Sequence, residues 1–174
     1  NKETKMKNAL IEDTRTLLKD AITTIIGLPG DLYTKITPTI STSSIGAHFR
    51  HIYDHYDNYL NALNADKFTY DSRERDISFE QNPAGACTQF QSIIDQIQAI
   101  PEEKLKESII IQTNSGTGLS ELPSSRIREL QFLLSHTLHH YAIIKMLSHH
   151  NNHPLPEEFG VAPSTIRHLA KCAP

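Results

Sequence analysis

RELQFLLSHTLHHYAIIKML, residues 128–147, decides how the rest of the chain is read. Leu130, Leu133, Leu134, Leu138, Ile143, Ile144 and Leu147 recur at helical spacing and make a broad apolar stripe, the mark of a core helix. Set into that stripe are His136, His139 and His140. His136 and His140 are four residues apart, so they leave one helix face one turn above the other. Two imidazoles at that spacing can reach one metal ion. Packing alone does not call for histidine there, because each ring brings two polar nitrogens that need partners.

A second histidine helix precedes it. SIGAHFRHIYDHYDNYLNAL, residues 44–63, has Ser43 or Ser44 as a natural N-cap. At about 100° per residue, His48, His51 and His55 fall within an arc of roughly 60°. Arg50 and Asp54 have the spacing of an ordinary helix ion pair. Asp54 or Asp57 has equal standing as the acceptor that orients an imidazole.

The remaining chain supplies two more helices and a small insert. Residues 3–26 place Ala9, Leu10, Leu17, Leu18, Ile22, Ile25 and Ile26 at helical spacing, and Gly27, Pro29 and Gly30 stop that run. Residues 29–43 are a connection. Residues 64–76 are polar and predict a loop, with Arg73 and Arg75 either solvated or meeting an anionic partner. Residues 77–100 predict a third helix, broken or shifted near Pro83 and Gly85 and ended by Pro101. Residues 108–112, SIIIQ, suit a short strand, and residues 119–122 a returning partner. Ser124 or Ser125 caps the fourth helix, and Ser164 or Thr165 a short last one, STIRHLAK. The expectation is an all-α fold with one domain over residues 1–174. It is a four-helix bundle with a small extended insert between helices three and four and a short C-terminal helix.

Composition narrows the function. A hydrophobic fraction of 38% over 174 residues is enough for a real core. A net charge of -3 argues against a dedicated nucleic-acid binder. No apolar run approaches the roughly 20 residues that span a bilayer. The opening NKETKMKNAL lacks a signal peptide's apolar core, and Cys87 and Cys172 give no disulfide framework. A cytoplasmic protein is expected. Apolar faces left over on a bundle of this size predict a homodimer.

Bundle cores build metal sites from facing helices. If the two histidine faces meet, three imidazoles converge. That donor set suits zinc, nickel or ferrous iron and leaves coordination positions open, the catalytic pattern rather than the closed structural one. Carboxylate-bridged di-iron is not indicated, since neither histidine helix carries Glu-x-x-His. Spacing leaves open which histidine of helix two takes part, and whether helix four uses His136, His139 or His140.

Four segments carry a family resemblance: SIGAHFRHIYDHY from Ser44, YDSRERD from Tyr70, RELQFLLSHTLHHYAII from Arg128 and FGVAPSTIRHLAK from Phe159. With these the chain resembles the DinB/YfiT-like superfamily of four-helix metalloproteins over nearly its whole length. The resemblance implies one metal ligand from helix two and two from the last long helix, four apart. Residue by residue these are His51, His136 and His140. Some members of that superfamily resemble thiol-dependent transferases and isomerases, and many others have no assigned activity. The second helix is also similar to the amino-terminal domain of ergothioneine-type sulfoxide synthases, whose larger second domain is not expected within these 174 residues.

The resulting expectation is a divalent-metal-dependent enzyme acting on a small molecule, either a thiol-dependent S-transferase or a hydrolase. His55, His48 or Asp54 would carry a proton or orient a group. Arg73 or Arg75 would meet a carboxylate of a low-molecular-weight thiol. The alternative is a metal-binding or stress-related bundle without turnover. No Ser-His-Asp signature, nucleophile elbow or phosphate loop supports other chemistry.

Overall fold

Long amphipathic helices carry most of the chain, in a computed structural model that describes residues 2–71, 76–114, 116 and 118–172. The elements are α1 (Lys2–Gly27), α2 (Ile45–Asn61), β1 (Lys67–Phe68), α3 (Ile77–Gln81), α4 (Pro83–Gln98), α5 (Glu102–Lys106), β2 (Ser108–Asn114), β3 (Leu119–Ser125), α6 (Arg126–His150) and α7 (Pro163–Cys172). Among the described residues, seven helices and one three-stranded sheet make the chain mainly helical rather than all-α.

Capping chemistry explains where the histidine helices begin. Ser44 Oγ accepts the Ala47 amide at 3.0 Å and starts α2. Ser125 Oγ accepts the Arg128 amide at 3.4 Å and starts α6. Each side chain satisfies a donor that the first helical turn leaves open. The expected third helix is interrupted at Asn82, whose side chain caps α4 at Gly85 just ahead of Pro83. The short last helix starts at Pro163, one residue before the expected serine cap. Proline suits a first helical position because no donor is lost there.

The insert is larger than its sequence suggested. β2 and β3 form a seven-residue antiparallel pair running from Ser108↔Ser125 to Asn114↔Leu119. β1 joins β2 in parallel within the stretch expected to be loop.

The four longest helices contact one another pairwise. α1 packs on α4 and α6, and α2 packs on the same two. Leu17, Leu18, Ile25, Phe49, Ile52, Phe90, Ile93, Leu130, Leu133 and Ile144 form the shared core. Buried tyrosines tie α2 to α6. Tyr59 donates to the Arg126 carbonyl at 3.1 Å. Tyr56 Oη lies 3.1 Å from Thr137 Oγ1, which itself donates to the Leu133 carbonyl at 2.8 Å. The single threonine hydrogen is thereby committed, so Tyr56 is the donor between the helices. Tyr56 and Thr137 adjoin His55 and His136, so this bond fixes the register of the two histidine rows.

Candidate metal centre

The register brings His51 of α2 against His136 and His140 of α6. One ring nitrogen from each can be chosen so that all three lie within 4.8 Å of one another. Ring centroids are 5.0 Å apart for His51–His136, 4.6 Å for His51–His140 and 4.6 Å for His136–His140. Nitrogens bound to one zinc ion at about 2.1 Å are roughly 3.4 Å apart in a tetrahedron. Side-chain rotations of about an ångström therefore close the three rings on an ion, and the donor set fits a divalent metal. His140 is buried, while His51 and His136 are half-buried.

Electrostatics favour the ligating form. Burial, and then the neighbouring His136, His51, His48 and His139, push the His140 imidazolium down to about 2 from an ordinary 6.5. His48 is lowered as well, by burial first and His139 second. Both rings are thus neutral near neutral pH, as metal ligation and hydrogen-bond acceptance require.

Two more histidines of α2 touch the trio without belonging to it. His48 is buried, with its Nδ1 3.0 Å from His140 Nδ1. His55 donates Nδ1–H to the His51 carbonyl at 2.9 Å. Its ring is stacked on His136 at 4.2 Å and on Tyr70 at 5.2 Å. With Nδ1 committed to a carbonyl, Nε2 is the nitrogen able to accept a proton. His139 is exposed and flanks His140 at 5.1 Å.

The carboxylate and arginine candidates fare differently. Asp54 is buried, 3.8 Å from Arg50 Nε, but the closer partner of Arg50 is Glu80 at 2.5 Å. Asp57 accepts from Asn61 at 2.9 Å. Arg73 and Arg75 lie outside the described residues.

Beside the histidines, Phe132 stacks on His136 at 5.6 Å and Tyr70 on His55. These two rings also wall a cavity of about 600 Å³ between the sheet and the start of α6. Ile111, Leu122 and Pro123 make its apolar side, with Arg128 and Glu129 on α6. Glu129 is buried and accepts from Tyr70 at 2.9 Å and from Ser124 at 2.5 Å. Burial, and then the charge of Glu129, hold the Tyr70 phenol well above its usual value, so it remains a donor. Tyr70, Phe132 and Glu129 were not expected from the sequence. An acid in the first turn of a helix was the one local signal, and it reads as a dipole partner.

No protein-family model and no solved structure matches the chain. Among curated proteins it is similar to FK506-binding protein 5 of Rhizopus delemar, with 30% identity over 105 residues. That match takes in 59% of this chain and 27% of the relative, so the chain spans about a quarter of that protein's length. Among the described residues no helix is long and apolar enough to cross a membrane.

Proposed function

We propose that this chain is a DinB-like four-helix-bundle metalloprotein that holds one divalent ion through His51, His136 and His140. The observation that carries the reading is the convergence of three imidazoles from two helices within 4.8 Å. Zinc, nickel and ferrous iron all suit three nitrogen donors. A divalent ion held there would lower the pKa of a water or thiol beside it. Imidazoles bind a metal in their neutral form, so an ion held there would keep its charge and favour an anion at the open position. That supports a thiol-dependent S-transferase or a hydrolase acting on a small molecule.

The chain's own residues have distinct parts in such a reaction. His51, His136 and His140 bind. His55 offers Nε2 as proton acceptor, since its other nitrogen is committed to the His51 carbonyl. Phe132 and Tyr70 separate the histidines from the cavity that would take a substrate's apolar part. Exposed Ile166 and Leu169 on α7 offer apolar surface for a homodimer. A cytoplasmic setting belongs to the same reading, resting on the lack of a disulfide framework in the sequence. The Rhizopus relative's name concerns FK506 binding by that protein, and a match over 27% of it does not extend the property here.

The test is metal content by mass spectrometry on tag-free protein, alongside His51→Ala and His136→Ala. About one ion per chain in the parent, lost in both variants, is the expected result. No ion after incubation with zinc, nickel and ferrous salts would end the metalloprotein reading and leave a histidine-rich helical protein.

A further inference from the structure

A histidine that binds a metal through one nitrogen usually donates its other N–H to a fixed partner, commonly a carboxylate or carbonyl. Here the partner of His140 is another imidazole. The Nδ1 atoms of His140 and His48 are 3.0 Å apart, with ring centroids at 5.3 Å. Two neutral rings can share that contact only if one nitrogen carries hydrogen and the other a lone pair. Beyond it, His48 Nε2 lies 3.3 Å from Ser41 Oγ. That oxygen already accepts the Ser43 amide at 3.0 Å. The Ser41 backbone is tied down in turn, its amide donating to the Thr37 carbonyl at 2.9 Å.

The row admits two proton arrangements. In one, the Ser41 hydroxyl donates to His48, and His48 donates through Nδ1 to His140. His140 then carries hydrogen on Nε2, which blocks that nitrogen as a ligand. In the other, His140 donates Nδ1–H to His48, and His48 donates Nε2–H to Ser41. This arrangement leaves the lone pair of His140 Nε2 for an ion. His140 Nδ1 is engaged with His48 in both cases, so Nε2 is the nitrogen it can offer.

We propose that His48, steadied by Ser41, is the positioning residue that fixes the tautomer and ring orientation of His140 for metal binding. The inference rests on the metal-binding reading above. It gives His48 a role distinct from carrying protons in a reaction. It also explains a buried histidine in the first turns of α2 that makes no part of the three-histidine set.

The test measures zinc affinity against a chromophoric chelator for the parent, His48→Phe and His48→Gln. Phenylalanine keeps the ring's bulk and removes the acceptor, and a loss of about 10- to 100-fold is expected. Glutamine restores an acceptor oxygen and should recover most of that loss. Nitrogen-15 spectra of the zinc-loaded parent should show hydrogen on Nδ1 of His140 and on Nε2 of His48. Parent-like affinity in His48→Phe, or hydrogen on Nδ1 of His48 in the loaded protein, would overturn the inference alone. Absence of zinc, nickel and ferrous-ion binding by the parent would overturn the metal reading and this inference with it. The spectra need no variant, so a folding defect in His48→Phe does not shield the proposal.

Discussion

Removing the Thr137 hydroxyl should cost more than removing its partner's, and removing both should cost less than removing the first. Tyr56 and Thr137 are both fully buried. Tyr56 donates across the helix interface at 3.1 Å, while Thr137 donates to the Leu133 carbonyl at 2.8 Å. Tyr56→Phe deletes one hydrogen bond and leaves the threonine hydrogen satisfied, for about 1 kcal/mol. Thr137→Val keeps the side chain's shape but leaves a buried phenol hydrogen with no acceptor, for about 2 to 3 kcal/mol. In the double variant both partners are apolar and nothing is stranded, so Tyr56→Phe should stabilise the Thr137→Val background. Urea unfolding of the four proteins reads this out as midpoints at a common slope. A smaller loss for Thr137→Val than for Tyr56→Phe, or additive losses in the double variant, would refute the assigned direction of the bond. The register of the two histidine rows would then need another explanation.

Other consequences can be checked in the same way. A Cβ on Gly46 would sit 2.7 Å from the Tyr33 ring and 2.8 Å from the Glu80 carbonyl. Gly46→Ala should therefore cost about 1 to 3 kcal/mol by overpacking, and an unchanged melting temperature would contradict the close approach. Arg126 is buried and donates to the carbonyls of Ala62 at 2.9 Å and Ala65 at 2.8 Å. The Ala62 carbonyl also accepts the Ala65 amide at 3.0 Å, so Arg126→Met strands the Ala65 carbonyl and should cost roughly 1 to 3 kcal/mol, measured by urea denaturation. In metal-free protein, His48 and His140 resist protonation when folded but titrate near 6.5 when unfolded. The unfolded chain then binds more protons, so stability should fall as pH drops below about 6.5 and be regained above it. A flat profile across that range, with parent and His140→Ala alike, would contradict the buried neutral imidazole.

The sequence was most informative where burial imposed a period. The core stripe of residues 130–147 and the three histidines of α2 stand in helices whose limits differ little from those expected. The choice of His51 over His48 and His55 could not come from spacing, because all three share one arc. It depends on how far α2 is slid along α6, which Tyr56, Tyr59 and their partners across the interface set. β1 was hidden for a related reason. Two residues show no alternation, and Lys67 and Phe68 are strand only because β2 lies beside them. α5 went unread because five residues with one buried side chain, Leu105, carry no helical period. The Glu129 cluster draws Tyr70 from a distant part of the chain onto Ser124 and α6, so no local pattern announces it.

The most direct measurement is X-ray absorption at the metal edge of the zinc-loaded protein. The account predicts three imidazole nitrogens at about 2.0 to 2.1 Å with a further light atom not drawn from the protein, and an imidazole count that falls in His136→Ala. Sulfur in the first shell, two or fewer imidazoles, or an identical spectrum in the variant would contradict a centre built from His51, His136 and His140.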